Sequence, residues 1–365
     1  MKKILFISPL PPPFYGSAMS SEMCLDILKR DNNFDVLNIK LNYSKEMSDV
    51  GKISFNKLEG IFQVRKQIRH LIKNFKPEFI YFVPAVLGYG LIRDWFFLRV
   101  IKTSNRGKLL LHIRGQFKRG GWASPFKDIL IRDLLRCDKV IVLGPELIAN
   151  LDKTVSEKNI YILPNAIEKS LSDSEYENIC SKKNVNRDLN LLFLSNIEKS
   201  KGWYKLLETC KLLYDANIKY TCHFVGDWRS IRERHRFYQY IYTNNLVDNI
   251  IYHGRLIGKE KNKMLAMADI LIFPTINEAC PRVIIEAMEY GLPVISNNVG
   301  TIPSIIEHGK TGFILQRNQA DEIFSYILKL QDKNFRNAMG LKGRESFLGK
   351  FTLDKYRSKF TSIFK

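Results

Sequence analysis

Two successive series of short apolar segments, alternating with amphipathic stretches, constrain the fold of this 365-residue chain more than any other feature. The first series predicts strands at residues 3–8, 35–39, 79–82, 108–112, 139–143 and 161–163, and helices at 20–29, 58–73, 91–104 and 124–135. The second predicts strands at 189–194, 219–225, 250–253, 269–273, 293–296 and 311–315, and helices near 203–216, 229–243, 259–267, 282–290, 302–307 and 319–331. Each series therefore predicts a doubly wound α/β domain with a parallel sheet.

The connecting and terminal stretches predict how the chain is divided. Residues 168–188 are rich in Ser, Glu and Lys and read as a linker with a charged helix. The tail carries aromatic residues at 356, 360 and 364, a helical spacing that predicts docking on a domain. We therefore place the N-terminal domain at 1–167 with the helix 350–365, and the C-terminal domain at 168–349.

Charge and cysteine content narrow the classes of partner. The net charge is +20, and residues 50–136 hold eighteen Lys/Arg against five Asp/Glu, which indicates an anionic partner such as nucleic acid, acidic lipid or a phosphorylated substrate. In the predicted helices 58–76 and 91–106, basic residues alternate with aromatics that include Trp95, Phe96 and Phe97. This pattern fits either an interfacial membrane surface or solvated basic faces over an ordinary core. The six cysteines form no C-x-x-C pair, so structural zinc and a disulfide framework are not expected and a reduced cytosol fits.

The segment 269–291 is the most specific part of the second series. An apolar strand from Ile270 to Phe273 is followed by a loop, and a helix then runs from Pro281 to Tyr290, with Gly291 just past its end. Glu278 lies in the loop and Glu286 lies in the helix, eight positions later. Free N–H groups at a helix start attract phosphate, and a carboxylate can accept hydrogen bonds from two ribose hydroxyls, so this arrangement suits a nucleotide-linked substrate.

The residues that follow extend the pattern: Gly-Leu-Pro-Val-Ile-Ser at 291–296, Gly300, Glu307 before a glycine, and Thr-Gly-Phe at 311–313. With Glu278 and Glu286 in this order, the segment resembles the retaining glycosyltransferases of family 4 (glycosyl transferases group 1). The resemblance implies the GT-B architecture: two Rossmann-like doubly wound α/β domains facing a central cleft, with the C-terminal helix crossing back to the N-terminal domain. It covers the C-terminal half strongly and the N-terminal half weakly.

The resemblance also implies roles for residues of the C-terminal domain. Glu286 would hold the ribose diol, Glu278 the sugar hydroxyls, and Lys201 the donor pyrophosphate. The backbone amides at the helix start would bind sugar and phosphate; these residues are Cys280, Pro281, Arg282, Val283 and Ile284. Gly226 and Arg255 match glycine-containing strand-end loops near the nucleotide, although Arg255 fits a surface residue equally well. Asn196 stands where the family usually has Arg, which removes one phosphate-binding cation.

Three residues of the N-terminal domain follow from the same resemblance. Gly16 and Ser17 stand where the family has a Gly-Gly loop beside the donor, and His112 ends a strand at a position that faces the donor sugar. His112 joins Glu278 and Lys201 as a catalytic candidate. Arg114 and Arg119 are candidates for binding an acceptor phosphate, or they belong to the general basic face. No Asp-x-Asp pair is present, so we expect neither a metal nor a cofactor beyond the donor itself.

The sequence thus predicts a retaining, metal-independent glycosyltransferase. It would move a hexose or N-acetylhexosamine from a nucleotide-diphosphate sugar (UDP first, GDP next) to a glycan or lipid-linked acceptor in bacterial surface polysaccharide assembly, such as capsule or lipopolysaccharide. We expect a cytoplasmic protein, peripheral on the inner membrane face, with no nucleic-acid partner. The alternatives are a sugar-nucleotide epimerase of the same architecture and a non-catalytic protein that binds anionic membrane or nucleic acid. The epimerase needs a pair of acid/base carboxylates in the N-terminal domain, which the sequence does not show. The binding protein does not explain the ordered glutamates, Lys201-Gly202 and the glycine loops.

Overall fold

The computed structural model describes residues 1–12, 15–41, 55–104, 107–117, 124–151, 155–183 and 188–365. These form two compact units. Unit 1 holds Met1–Asn165 and Tyr356–Lys365, and unit 2 holds Ala166–Lys355. None of the described helices combines the length and the apolar character that a membrane span needs.

Unit 1 is built on a parallel sheet of six strands. Its elements are β1 (Lys2–Ser8), α1 (Gly16–Lys29), β2 (Phe34–Lys40), α2 (Phe55–Phe75), β3 (Phe79–Phe82), α3 (Gly88–Ser104), β4 (Lys108–Ile113), α4 (Ser124–Leu135), β5 (Lys139–Val142) and β6 (Ile160–Ile162). The strand order is β2-β1-β3-β4-β5-β6, and every pairing is parallel. The inner strands are buried over almost their whole length, as the apolar runs of the sequence predict.

Unit 2 has the same layering and the classical order of a dinucleotide-type fold. Its elements are α5 (Asp173–Lys183), β7 (Leu189–Leu194), α6 (Trp203–Asp215), β8 (Tyr220–Val225), α7 (Ile231–Thr243), β9 (Ile250–Tyr252), α8 (Gly258–Met267), β10 (Ile270–Phe273), α9 (Arg282–Glu289), β11 (Val294–Asn297), α10 (Ile302–Ile305), β12 (Gly312–Leu315), α11 (Ala320–Gln331), α12 (Lys333–Lys350) and α13 (Leu353–Ser362). The strand order β12-β11-β10-β7-β8-β9 reverses between β7 and β10. A switch of this kind opens a crevice at the carboxyl ends of the strands.

The helix α13 begins in unit 2, but its residues from Tyr356 onward belong to unit 1. Phe360 and Phe364 are fully buried there, and the Phe364 ring lies 5.6 Å from the Phe79 ring and 5.7 Å from the Phe34 ring, measured between centroids. The predicted return of the tail to the N-terminal domain is thereby confirmed. The aromatic spacing of four residues places these rings on one side of the helix.

One expectation about the helices is wrong. The sequence series ends at residue 331 and misses α12, whose glycines make the segment look like a loop. Packing requires one of these glycines, Gly340, because a Cβ there would lie 2.0 Å from the Gly291 carbonyl oxygen. The structure divides the aromatic cluster at 95–97, for which the sequence left both a membrane surface and an ordinary core open. Phe97 is in the core, and Trp95 donates a hydrogen bond from Nε1 to Asp133 of α4 (2.7 Å), so only the Phe96 ring is exposed.

Candidate active site

The switch between β7 and β10 brings two loops of unit 2 together. Residues 195–202 follow β7 and residues 274–281 follow β10. Gly202 has a positive φ of 76°, and a Cβ there would lie 2.0 Å from the Pro274 carbonyl oxygen, so glycine is required for the loops to touch. The Ile276 amide donates to the Ser200 carbonyl (2.9 Å) and joins the loops further. The two predicted motifs thus share one sheet edge.

Lys201 and Glu278 are in direct contact across these loops. Lys201 Nζ lies 2.5 Å from Glu278 Oε1 and also donates to the Asn277 carbonyl (3.2 Å). Both side chains are half-buried. The structure therefore brings two of the three catalytic candidates together, as a cation that neutralises a carboxylate at the mouth of the crevice.

The start of α9 lies at the end of the same loop. The N-cap residue is Pro281, and no side chain caps this helix end. The first N–H groups of α9 therefore have no partner within the helix, and they can donate hydrogen bonds to a bound anion. Of the five residues whose amides were expected to act, Pro281 has no N–H, so Cys280, Arg282, Val283 and Ile284 supply four at most. Cys280 is buried, which fits a backbone role.

Gly300, at the start of the segment before α10, fixes the position of the Glu278 loop. It has a φ of 56°, and a Cβ there would lie 2.3 Å from the Glu278 carbonyl oxygen and 2.5 Å from that of Ala279. The adjacent Thr301 amide donates to the Ala279 carbonyl (2.8 Å). The predicted glycine near 300 therefore acts by supporting the loop that carries Glu278.

Glu286 projects from α9 and is held by a residue that the sequence interpretation missed. Its Oε2 lies 2.9 Å from Nζ of Lys261 on α8. A sequence signal existed, because Lys261 is three and four positions before the buried Met264 and Leu265 and is thus a charged residue on the same face of α8. The site therefore contains two lysine–glutamate pairs, one for each of the two spaced acids.

Asn196, Gly226 and Arg255 lie at the ends of β7, β8 and β9. The Gly226 amide donates to the Gly254 carbonyl (2.8 Å), which joins the last two loops. Asn196 is exposed. Arg255 Nη1 is 3.8 Å from Asp227 Oδ2, and both side chains are more than half exposed, which makes a weak surface pair. These positions share the sheet edge with the lysine–glutamate pairs, and their contact with a nucleotide stays a prediction.

Gly16 and Ser17 begin α1 in unit 1, close after the end of β1. The strand order of unit 1 reverses between β1 and β3, so this helix start also follows a switch point. Gly16 is exposed, and a Cβ there would meet nothing within 4 Å. Packing within unit 1 therefore does not require glycine at this position, and the predicted donor role of both residues stays a prediction.

His112 lies inside unit 1. It is fully buried on β4, its Nδ1 lies 2.5 Å from the Tyr81 hydroxyl, and its Nε2 has no partner among the described residues. Burial, together with the nearby Arg114 charge, lowers the pKa of His112 well below its usual value, so the ring is neutral at pH 7. Contact with a sugar would require the ring to become exposed, and the catalytic role stays a prediction.

Arg114 is turned into unit 1 as well. Its Nη2 donates to Cys24 Sγ (3.1 Å) and to the Ser20 carbonyl of α1 (3.3 Å). Arg119 lies outside the described residues. Within the described part of the chain, no three His, Cys, Asp or Glu side chains form a group that could hold a metal ion.

Known proteins match both the sequence and the fold. The profile of the family described as Glycosyl transferases group 1 matches residues 175–346. An uncharacterized 41.2 kDa protein in the cps region of Klebsiella pneumoniae is 29% identical over 220 residues, which are 59% of this chain and 57% of that protein. A putative colanic acid biosynthesis glycosyltransferase of Salmonella typhimurium is 25% identical over 186 residues, 48% of this chain and 44% of that one. The chain thus spans about half the length of these relatives.

Two solved structures cover the entire chain. A glycosyltransferase from Rickettsia africae has a TM-score of 0.76 at 18% identity, and Anabaena HepE in complex with UDP has a TM-score of 0.72 at 16% identity. Each match covers 100% of this chain and 99% of the other. At this identity the likeness concerns the fold alone, and it confirms the predicted GT-B class of two Rossmann-like domains.

Proposed function

We propose that this chain, whose residues 175–346 match the family described as Glycosyl transferases group 1, transfers a hexose or N-acetylhexosamine from a nucleoside diphosphate sugar to a glycan or lipid-linked acceptor. The observation that carries the proposal is the Lys201–Glu278 pair beside the uncapped start of α9, at the switch point of unit 2. An anion-binding helix start next to a lysine suits a diphosphate, and a neighbouring carboxylate suits sugar hydroxyls.

The proposed chemistry divides between the two acids and the cation. Glu286 accepts hydrogen bonds from the ribose hydroxyls, and Glu278 accepts them from the sugar. In the transfer step the bond between the sugar anomeric carbon and the phosphate oxygen breaks, and the acceptor oxygen bonds to that carbon. The hydroxyl proton passes to the departing phosphate on the same face, which retains the anomeric configuration. Lys201 and the α9 amides stabilise the negative charge that develops on the diphosphate.

The lysine pairs compensate the charges of the two acids in the site. A half-buried carboxylate is costly unless it is paired, and Lys201 supplies that partner for Glu278. On binding, the phosphate competes for Lys201 while the sugar hydroxyls replace it at Glu278. The cation is therefore already in place when the phosphate charge develops. This preorganisation is the reason that we propose a reaction without a bound metal ion or other cofactor.

The choice of donor is tested with a panel of UDP-, GDP- and other nucleotide sugars, with release of nucleoside diphosphate as the readout. UDP is the nucleotide that we expect first in the donor, because the structurally similar HepE was solved in complex with UDP. We expect release with at least one donor, unchanged by EDTA, and retained configuration in the product by NMR. Release that EDTA abolishes and magnesium or manganese restores would refute the metal-free step. If no donor gave release of nucleoside diphosphate, the proposed glycosyltransferase activity would be refuted.

We further propose that the acceptor lies at a membrane surface and belongs to bacterial surface polysaccharide assembly. The two relatives described above, one from a cps region and one assigned to colanic acid biosynthesis, support the pathway. The outer faces of the neighbouring helices α2, α3 and α4 support the location. They expose the apolar side chains Phe62, Phe96, Phe126 and Ile129 together with the basic side chains Lys66, Arg69, Lys73, Arg99, Arg132 and Arg136. Exposed apolar groups among basic ones favour anionic lipid, and each cation contributes about 1 kcal/mol near such a surface.

Co-sedimentation with liposomes tests the membrane proposal. Wild-type protein should bind vesicles that contain acidic lipid, and binding should weaken with salt because the attraction is screened within about 8–10 Å. The double variant Phe126→Ser with Ile129→Ser should bind more weakly. The matched control is Tyr242→Ser, which removes an exposed aromatic from α7 of unit 2. Failure of wild-type protein to bind acidic vesicles, or equal loss in the control, would refute membrane docking through these helices.

A further inference from the structure

The Lys261–Glu286 pair differs from the other lysine–glutamate contacts on the helices of unit 2. Contacts such as Lys263–Glu260 join residues one helical turn apart, with side chains that are 72% and 61% exposed. Lys261 and Glu286 lie on different helices, α8 and α9, and are only 27% and 18% exposed. Local pairs of the first kind are ordinary surface chemistry. A pair that joins two elements inside a crevice has a defined geometry that a ligand can use.

The position of Lys261 on α8 is otherwise unfavourable. The residue lies three and four positions before the buried Met264 and Leu265, on the same face of the helix. A lysine on such a face can bury its methylene groups and bring only its ammonium group to a polar partner. Here that partner is Oε2 of Glu286. The ammonium group is therefore aimed at the one carboxylate that is assigned to the ribose.

One consequence follows for a nucleotide. The pair restricts the rotation of Glu286, so the carboxylate meets the two ribose hydroxyls in a prepared orientation and less conformational entropy is lost on binding. This effect acts on binding of the nucleotide rather than on the bond that is broken.

We propose that Lys261 is a positioning residue for the donor, acting through Glu286 on recognition of the ribose diol; this rests on the proposed function. It would favour ribonucleotides over 2′-deoxyribonucleotides. The residue does not touch the reacting atoms in this scheme. Its loss should therefore raise KM for the donor more than it lowers kcat.

Calorimetry with UDP and 2′-deoxy-UDP tests the assignment. Lys261→Met should weaken UDP binding at least tenfold. It should leave binding of 2′-deoxy-UDP within threefold of wild type, because this nucleotide lacks the 2′-hydroxyl and so cannot form the two-hydroxyl contact with Glu286. Lys261→Arg should restore most of the UDP affinity. Glu286→Gln should weaken UDP binding similarly, and adding Lys261→Met to it should have little further effect. Lys263→Met, two residues along the same helix, is the matched control and should bind like wild type.

The outcomes separate this inference from the proposed function. UDP affinity unchanged in Lys261→Met, with Glu286→Gln impaired, would overturn the role of Lys261 alone. Equal weakening of UDP and 2′-deoxy-UDP in Lys261→Met would also overturn it, because the lysine would then serve the phosphates or the packing of α8. If wild-type protein binds GDP instead of UDP, the same comparison is made with GDP and its 2′-deoxy form. Failure of wild-type protein to bind any nucleoside diphosphate would overturn both proposals.

Discussion

At the scale of single residues, each of the two acids eight positions apart has its own lysine. Lys201 holds Glu278 and Lys261 holds Glu286. Glu278 is in a loop and Glu286 is half-buried on a helix, so each would carry an uncompensated charge without its lysine. Under the proposed function, the same contacts hold the cations near the diphosphate of the donor. The electrostatics of the site are thus prepared before a ligand arrives.

Lys201→Ala should lower kcat about 100-fold or more, the range observed when a preorganised donor to a developing anion is removed. The effect should be the same with magnesium or with EDTA. The matched control is Lys205→Ala, one turn further along, where the side chain pairs with Glu208 (2.9 Å). Steady-state kinetics at saturating donor measure both variants. A kcat for Lys201→Ala within threefold of wild type would remove Lys201 from the reaction.

The burial of His112 predicts that the free energy of unfolding falls at acidic pH. Its pKa is lowered in the folded protein, while the unfolded chain takes up the proton near pH 6.5, so acidification below that value favours unfolding. His112→Asn places a polar group near the Tyr81 hydroxyl but does not titrate. Between pH 6.5 and 5.5 wild-type protein should lose up to about 1 kcal/mol more unfolding free energy than the variant. Urea unfolding at both pH values measures this, and parallel losses in the two proteins would contradict it.

At the scale of elements, close backbone contacts decide where the functional loops lie. Gly202 allows the β7 and β10 loops to meet, and Gly300 supports the loop that carries Glu278. The same kind of contact explains why α12 was missed, since Gly340 lowers helix propensity but admits the backbone at Gly291. A glycine that weakens an element locally can thus be required by the neighbour it touches.

Gly300→Ala should displace the Glu278 loop and reduce kcat/KM at least tenfold. A Cβ would meet the Glu278 carbonyl oxygen at 2.3 Å, and the positive φ adds strain of about 1–3 kcal/mol. Gly309→Ala is the control, because Gly309 also has a positive φ (76°) but nothing lies within 4 Å of an added Cβ. Kinetics and thermal unfolding separate the clash from the strain. Equal activity losses in the two variants would show that backbone strain alone is responsible.

At the scale of the whole molecule, the last ten residues tie the end of the chain to the unit in which it began. Residues from Tyr356 onward belong to unit 1, and Lys2 Nζ donates to the Phe364 carbonyl (2.9 Å). The Phe364 ring also contacts the Phe79 ring of β3. The fold of unit 1 is therefore complete only after unit 2 has been synthesised.

Phe364→Ala should destabilise unit 1 by about 3–5 kcal/mol, the usual cost of removing a buried phenylalanine ring. Phe62→Ala is the control, because that ring is 66% exposed and its loss should change stability by about 0.5 kcal/mol or less. Hydrogen exchange of peptides that cover β1 and β3 resolves unit 1 from unit 2. Exchange in Phe364→Ala as slow as in the control would show that the tail does not stabilise the sheet.

The sequence by itself determined the two α/β domains, because a parallel strand covered on both faces must be a short apolar run. The strand–loop–helix pattern also indicated the acids at 278 and 286, and the resemblance to the family motifs indicated the lysine at 201; the strands that precede these loops, β7 and β10, are neighbours in the sheet. The docking of the tail followed from the spacing of its aromatic rings. These signals are local, so they can be found without knowing which elements are neighbours.

Only the tertiary structure decided the contacts that depend on strand order and helix facing. Lys261 and Glu286 are 25 positions apart and meet because α8 and α9 flank β10. Trp95 and Phe97 carry the same pattern of basic neighbours as Phe96, but α3 turns them toward α4 and the core. His112 lies near the end of a strand as expected, but its side chain is fully buried inside unit 1. In each case the side chain's partner comes from a distant part of the chain, and local periodicity carries no information about that partner.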